Sequence, residues 1–191
     1  MAINNKKTLV NFVKKEYLLF KKEKSIRHQK FLDEIETLFG SDNCFILEPD
    51  IIQAVNFKAK NDGVIRIMHS SSDNMIEVEL SRKNSSLLGE ICNYIELADD
   101  EWILVYPYEW ELKGGFLVGM KKFFSLLNDA SWVMDDDFTV FNKNLDSSLK
   151  ISGDRIGDEI SIYNIMSRGD KFFSIVDGLK KATTKKGTEN I

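Results

Sequence analysis

Paired carboxylates are the residues of this sequence whose spacing most closely approaches that of a catalytic site. Asp73, Glu77 and Glu79 lie close together in the chain, and the two glutamates share one face of a predicted strand, because side chains alternate along a strand. Carboxylates on one face could hold two divalent cations in a nuclease or hydrolase. The lysine expected shortly after Glu79 is absent, since Leu80 and Ser81 follow it. We therefore favour the solvated face of an edge strand and keep a metal-dependent nuclease or hydrolase as the alternative.

A second acidic run consists of Asp135, Asp136 and Asp137, shortly after Trp132. Carboxylate oxygens are the ligands that Mg²⁺ and Ca²⁺ prefer. Consecutive residues of a strand point to opposite faces, however, so three neighbouring carboxylates do not converge on one ion. The spacing of an EF-hand loop is also missing. We interpret the run as a solvated turn before a strand and expect no bound metal, although the run could also serve the nuclease alternative.

Histidine, cysteine and glycine residues show no catalytic spacing either. Neither His28 nor His69 has a cysteine, aspartate or histidine at the distance that a metal site requires. Cys44 and Cys92 lie in apolar runs, which is typical of buried, reduced thiols and of a cytoplasmic protein. The glycine pair at 114–115 lacks the pattern of a phosphate-binding loop. We therefore predict no catalytic residue and no cofactor.

The densest cluster of recognition side chains lies within residues 99–111, where acids and aromatic residues alternate. Tryptophan and tyrosine supply contact area in protein interfaces, while carboxylates steer and pair with a basic partner. We predict that the partner-binding residues are Asp99, Asp100, Glu101, Tyr108, Glu109, Trp110, Glu111, Asp135, Asp136 and Asp137. The alternative is a core strand with inward-facing rings, which we favour for Trp102. For Tyr108, Glu109 and Trp110 both interpretations stay open.

Charge is distributed unevenly along the chain, whose net charge is −4. Residues 1–39 hold nine Lys or Arg against five Asp or Glu, and residues 180–191 hold four against one. Residues 40–179 hold 13 basic and 24 acidic side chains. An acidic body repels nucleic acid and attracts basic proteins, although the same charge also serves solubility. The Lys-rich first helix could touch RNA or anionic lipid, but we expect a solvated helix face.

The elements that position these residues follow from hydrophobic periodicity. Helices are predicted over 4–39, as one helix or two, and over 86–97, 116–127 and 170–182. Strands are predicted over 45–47, 51–57, 64–68, 75–80, 102–106, 138–141, 148–151 and 160–163. Because the strands come in consecutive groups, we predict an α+β fold with helices packed on an antiparallel or mixed sheet. One domain should span residues 1–182, with a helical arm at 1–40 and a flexible tail at 183–191.

One part of the chain, residues 132–163, carries a family resemblance. It contains Trp132, the run Asp137-Phe138-Thr139-Val140-Phe141-Asn142 and the run Glu159-Ile160-Ser161-Ile162-Tyr163. This stretch resembles the closing strands of small bacterial α+β immunity-type proteins, some known only as uncharacterised families of toxin–immunity systems. The resemblance implies a non-enzymatic inhibitor that occludes the active site of a toxin.

These observations lead to one hypothesis about function and two alternatives. We expect a cytoplasmic protein that neutralises a basic protein partner, such as a toxin, through an acidic and aromatic surface. The N-terminus lacks the features of a signal peptide, and no apolar run is long enough to cross a membrane, so we expect no membrane partner. The alternatives are the metal-dependent nuclease or hydrolase, and a structural or phage-accessory protein that oligomerises through its N-terminal helix.

Overall fold

The structure is a computed structural model of the 191-residue chain. It describes the backbone of residues 2–62, 74–81, 91, 94, 101–156 and 160–188. Side chains are described for residues 12–62, 91, 94, 101–127, 129–153 and 163–181. No helix in these ranges is both long and apolar enough to cross a membrane.

Within the described residues, seven strands form one sheet in which every neighbouring pair is antiparallel. They are β1 (Cys44–Leu47), β2 (Asn74–Ser81), β3 (Trp102–Pro107), β4 (Gly115–Gly119), β5 (Asp137–Phe141), β6 (Ser148–Ile156) and β7 (Ile160–Arg168). Their order across the sheet is β1-β4-β3-β5-β6-β7-β2, so β1 and β2 form its edges. The prediction of an α+β fold with an antiparallel sheet is therefore confirmed, and the strands predicted within 102–163 lie in β3, β5, β6 and β7.

Six helices with described bounds accompany the sheet. They are α1 (Ala2–Phe39), α2 (Pro49–Asn61), α3 (Trp110–Lys113), α4 (Met120–Ser125), α5 (Leu127–Val133) and α6 (Phe173–Thr188). The N-terminal segment is one continuous helix, which ends where Gly40 adopts a φ of +84° and donates its N–H to the Glu36 carbonyl oxygen at 2.8 Å. Glycine tolerates this left-handed conformation without a steric cost, which makes it a natural helix terminator.

The main core lies between one face of the sheet and helices α1, α4, α5 and α6. Phe39 of α1 packs its ring 5.5 Å from Phe116 of β4 and 6.2 Å from Phe123 of α4, measured between ring centroids. Helix α2 covers part of the opposite face, where Ile52 joins Leu104 in a second buried cluster. Because both faces of β3 are covered, that strand is buried from its second residue onward. The two layers therefore fix β3 and its neighbours β4 and β5 rigidly.

Residues 51–57 form part of helix α2, so the strand predicted there is wrong. Pro49 occupies the first turn of the helix, where its fixed φ and missing N–H are compatible with helix. The buried residues Ile52, Asn56 and Ala59 are spaced by four and three positions, which is a helical period. The exposed apolar side chains of Ile51 and Phe57 hid this period from the sequence pattern.

Residues 115–119 form strand β4, so the helix predicted from residue 116 starts too early. The backbone turns at Gly114, whose φ is +79°, and helix begins only at Met120. Gly115 lies so close to the second core that an added Cβ would sit 2.8 Å from Ile52 Cδ1 and 2.8 Å from the Val105 oxygen. Glycine is thus required here for packing rather than for a helix start.

The C-terminal helix extends further than predicted. Helix α6 runs to Thr188, beyond residue 182 where we expected the domain to end. The predicted strand at 64–68 and most of the predicted helix at 86–97 lie outside the described residues, although the backbone of Ile91 is helical.

Candidate protein-docking site

The structure brings together two segments that the sequence singled out separately. The backbone N–H of Tyr108 donates to the Asp137 carbonyl oxygen at 2.9 Å. The ammonium of Lys113 lies 2.6 Å from Asp135 Oδ2 and 3.4 Å from Glu109 Oε2. The predicted recognition residues near 108 and near 135 therefore belong to one surface.

The sheet explains this meeting. Strands β3 and β5 are antiparallel neighbours, with Pro107 opposite Phe138 in register. The C-terminal end of β3 lies beside the N-terminal end of β5, because the two antiparallel strands run in opposite directions. Helix α3 follows β3 directly, and the turn at 135–136 precedes β5 directly. Both segments are thus held by buried strands rather than by loose loops.

A chain of ion pairs crosses this surface and connects it to α1. Arg27 Nη1 donates to Glu109 Oε1 at 2.9 Å, and Arg27 Nη2 lies 3.0 Å from Glu23 Oε1. Glu109 in turn shares Lys113 with Asp135. The Lys113 side chain is only 13% exposed. A cation so far removed from water needs the two carboxylates beside it, because an isolated buried charge is costly.

The surface is less acidic than the sequence pattern implied, because cations match several of the predicted carboxylates. Counting the exposed Glu111 of α3, the surface carries four carboxylates and two cations: Glu23, Glu109, Glu111 and Asp135 against Arg27 and Lys113. Its net charge is therefore −2. The signal that sequence reasoning missed is the long-range pairing of α1 and α3, which no local spacing reveals.

An open pocket of about 390 Å³ lies between α1 and the segments that carry these ion pairs. The buried ring of Phe31 and the ring of Trp132 supply its aromatic lining. Charged groups of both signs line the remainder: Arg27, Lys30, Glu34, Glu109, Lys113 and Asp135. Trp132 is 54% exposed, and Tyr108, next to Glu109 in the chain, is 71% exposed. Trp132 thus faces solvent at the pocket itself, and the exposed Tyr108 directly precedes Glu109, which lines it.

Asp136 and Asp137 accept hydrogen bonds from neighbouring strands and thereby stabilise the turn. Asp136 is buried, its Oδ1 accepts the Tyr163 hydroxyl at 3.3 Å, and its carbonyl oxygen accepts the Gly153 N–H at 2.8 Å. Asp137 Oδ2 accepts the Ser152 hydroxyl at 3.2 Å. Asp135 and Asp136 adopt φ values of 56° and 60°, a conformation that aspartate tolerates better than most residues. The solvated turn predicted at 135–137 therefore holds for Asp135 and is wrong for Asp136.

The remaining candidates of the 99–111 segment lie elsewhere. Glu101 is largely buried and pairs with Lys171, with Nζ 2.7 Å from Oε2. Trp110 is half-buried against the second core cluster. Trp102 is exposed, so our preference for a core position there is wrong. Asp99 and Asp100 lie outside the described residues.

The carboxylates of the nuclease alternative lie on or near an edge strand. Glu77 and Glu79 belong to β2, opposite Asn164 and Ile162 of β7, and β2 is the last strand of the sheet, as predicted. Asp73 lies outside the described residues. Within the described ranges, no group of three or more His, Cys, Asp or Glu side chains is arranged to hold a metal ion.

His28 connects three segments of the chain beside the ion-pair network. Its Nδ1 lies 2.8 Å from the Lys113 carbonyl oxygen, to which it donates in the tautomer that carries the hydrogen on Nδ1, and its Nε2 lies 3.4 Å from Glu48 Oε2. The ring packs beside Gly114, where an added Cβ would lie 3.4 Å from it. One imidazole thereby joins α1, the end of α3 and the residue before α2. The sequence offered no signal for this role, because all three contacts are distant in the chain.

Cys44 is a buried free thiol, as predicted. Burial raises its pKa, and the nearby Glu36 carboxylate raises it further. A thiol with a raised pKa is a poor nucleophile, because the thiolate is the reactive form. Cys92 lies outside the described residues.

The comparisons with known proteins give no further guide to this site. No protein-family model, curated protein or solved structure matches the chain. The function is therefore inferred from the geometry of the surface itself.

Proposed function

We propose that the chain is a non-enzymatic binding protein that neutralises a basic protein partner, in the manner of an immunity-type protein. We call its binding surface the docking surface and define it as Tyr108, Glu109, Glu111, Trp132 and Asp135. The observation that carries the proposal is the exposure of two large aromatic side chains, Tyr108 and Trp132, around one fixed ion-pair network.

Exposed aromatic residues on a rigid base are well suited to anchor a partner. Tyrosine and tryptophan are enriched among the residues that contribute most to binding free energy. They bury large areas at a low entropic cost, because they have few rotatable bonds. Tyr108 follows β3, which is buried from its second residue onward, and its N–H donates to the Asp137 carbonyl oxygen. Its backbone therefore needs little ordering when a partner binds.

The charge of the docking surface favours a cationic partner. The Asp135 side chain is 67% exposed, although its Oδ2 is bound to Lys113. A carboxylate accepts several hydrogen bonds, so a partner arginine or lysine can bind Asp135 without displacing Lys113. The exposed Glu111 adds a second acceptor on the same helix as Lys113. Such charges accelerate association, especially at low ionic strength.

Photocrosslinking from the docking surface tests this proposal. Benzoylphenylalanine is introduced at Tyr108, at Trp132 and, as a matched control, at Phe57, an aromatic residue of α2 that is 69% exposed. In the native host, Tyr108 and Trp132 should crosslink to the same basic protein, and Phe57 should not. The purified partner should then lose its activity when the wild-type chain is added.

Two results would contradict the proposal. Equal crosslinking of that protein from Phe57 would show that the docking surface has no special role. A crosslinked partner that is acidic, or whose activity is unaffected by the chain, would exclude neutralisation of a basic protein.

A further inference from the structure

The first half of helix α1 extends away from the body with an exposed apolar face. We call residues 2–23 the arm. Every side chain from residue 12 to residue 23 is exposed, and burial in α1 begins only in the second half, with Phe31 as its first fully buried residue. Six large apolar side chains of the arm are 51–66% exposed: Phe12, Val13, Tyr17, Leu18, Leu19 and Phe20.

The exposed apolar residues continue the stripe that packs α1 on the sheet. Val13, Tyr17 and Phe20 are separated by four and three positions, and Phe31 and Ile35 by four. At 3.6 residues per turn these positions fall on one side of the helix. The side of α1 that is buried within the body is therefore the side that is exposed on the arm.

We infer that the arm binds the arm of a second copy of this chain, so that the protein forms a symmetric dimer through α1. The surface area is sufficient for this. Five of the six half-exposed side chains lie within about 160° of the helix circumference, and Leu18 lies opposite them. At roughly 100 Å² each, a symmetric pair of arms buries about 1,000 Å², the area that a specific interface should reach. The arm is about 33 Å long at 1.5 Å per residue, which gives room for several turns of contact.

The lysines of the arm allow this pairing. Lys14 and Lys21 are seven residues apart, as are Lys15 and Lys22, so each pair forms a row along the helix. The first row lies beside the stripe of Val13, Tyr17 and Phe20, and the second row lies on the opposite side of the helix. The Lys21 ammonium lies 5.0 Å from the centre of the Tyr17 ring, at the margin of the stripe, and a lysine side chain is long enough to keep its charge in water there. The arm holds six lysines and two glutamates, so two arms repel each other electrostatically. Salt screens this repulsion, and dimerisation should therefore strengthen as ionic strength rises.

The salt dependence distinguishes a second copy from the other occupants of a basic amphipathic helix. Binding of the arm to an acidic protein, a nucleic acid or an anionic lipid surface would weaken with salt, because those partners attract the lysines.

Analytical ultracentrifugation of the full chain tests the inference. The wild-type protein should be a dimer whose dissociation constant falls as salt is added. Val13→Gln combined with Phe20→Gln should raise that constant roughly 100-fold. Glutamine preserves helix propensity, and both positions are exposed in the single chain, so circular dichroism and thermal unfolding at low concentration should not change.

The matched control replaces Lys14 and Lys21 with glutamine. These lysines directly follow Val13 and Phe20 in the chain. This variant should remain a dimer and should depend less on salt than the wild type. A wild-type chain that is monomeric at micromolar concentration would overturn the inference. So would a dimer unaffected by V13Q/F20Q, or a monomer whose arm binds phosphatidylglycerol vesicles.

Discussion

The Lys113 ammonium lies 2.6 Å from an Asp135 carboxylate oxygen while its own side chain is 13% exposed. This contact joins α3 to the turn before β5, and Glu109, the residue immediately before α3, provides a second carboxylate. Substituting Lys113→Met should lower the free energy of unfolding by about 1–2 kcal/mol, because two carboxylates lose a shielded partner. Urea denaturation followed by circular dichroism measures the loss.

Lys58 provides the control for this substitution. It also pairs with a carboxylate, Asp62, but in an exposed position on α2, where ion pairs contribute little. Lys58→Met should therefore change the free energy of unfolding by less than about 0.5 kcal/mol. If both variants lose the same free energy of unfolding, the shielded ion pairs of Lys113 contribute no more to stability than the exposed ion pair of Lys58.

Gly115 is required by its neighbours and Gly119 is not. A Cβ at Gly115 would meet Ile52, Val105 and Tyr106 within 2.9 Å, whereas a Cβ at Gly119 would meet nothing within 4 Å. Gly115→Ala should cost roughly 2 kcal/mol of stability, as overpacking of a core does. Gly119→Ala should change the free energy of unfolding by less than about 1 kcal/mol, because alanine reduces the entropy of the unfolded chain but is a poorer N-cap of α4 than glycine. Thermal unfolding of both variants measures the difference, and a stable Gly115→Ala protein would refute the close packing of β4.

Tyr106 makes stability depend on alkaline pH. Burial raises the pKa of its phenol above the ordinary value of 10.0, although hydrogen bonds with Thr139 and Asn56 oppose the shift. The unfolded state therefore loses the proton first, so the contribution is fully present below about pH 10 and decreases above it. The wild-type chain should lose more stability above pH 10 than Tyr106→Phe, measured by urea titration at several pH values. Parallel curves would contradict this prediction.

Tyr106→Phe should also destabilise the chain at neutral pH. The Tyr106 hydroxyl donates to Asn56 Oδ1 at 2.5 Å between two buried residues. Removing the donor leaves a buried amide oxygen without this bond, which costs about 1–3 kcal/mol. Urea unfolding of the wild type and of Tyr106→Phe at pH 7 measures the loss of this hydrogen bond separately from the ionisation of the phenol above pH 10.

Much of the fold could be predicted from the sequence, because alternation and turn residues are local signals. The strands β3, β5, β6 and β7 were found in this way. Helix α2 was missed, because its exposed Ile51 and Phe57 fill the positions that would otherwise have shown a helical period. The helix predicted at residue 116 failed because close packing at Gly115 is a tertiary property that a sequence window does not contain.

The docking surface could be predicted only in its parts. The acids and aromatic residues near positions 108 and 135 led us to predict partner-binding residues in both segments. Nothing in the sequence indicated that the two segments lie side by side. Their meeting depends on the pairing of β3 with β5. The cations that moderate the acidity, Arg27 and Lys113, come from α1 and α3 and bind over long sequence distances. The sequence thus indicated which segments carry acids and aromatic residues more readily than it indicated the ion pairs that those acids form.

The equilibrium affinity for the basic protein captured from Tyr108 tests the central claim most directly. By isothermal titration calorimetry, Tyr108→Ala should weaken binding about 10- to 100-fold, which corresponds to the loss of one aromatic anchor. Phe57→Ala, an equally exposed aromatic residue on α2, should leave the affinity unchanged. If Tyr108→Ala binds as tightly as the wild type, or if Phe57→Ala weakens binding equally, the docking surface does not mediate recognition.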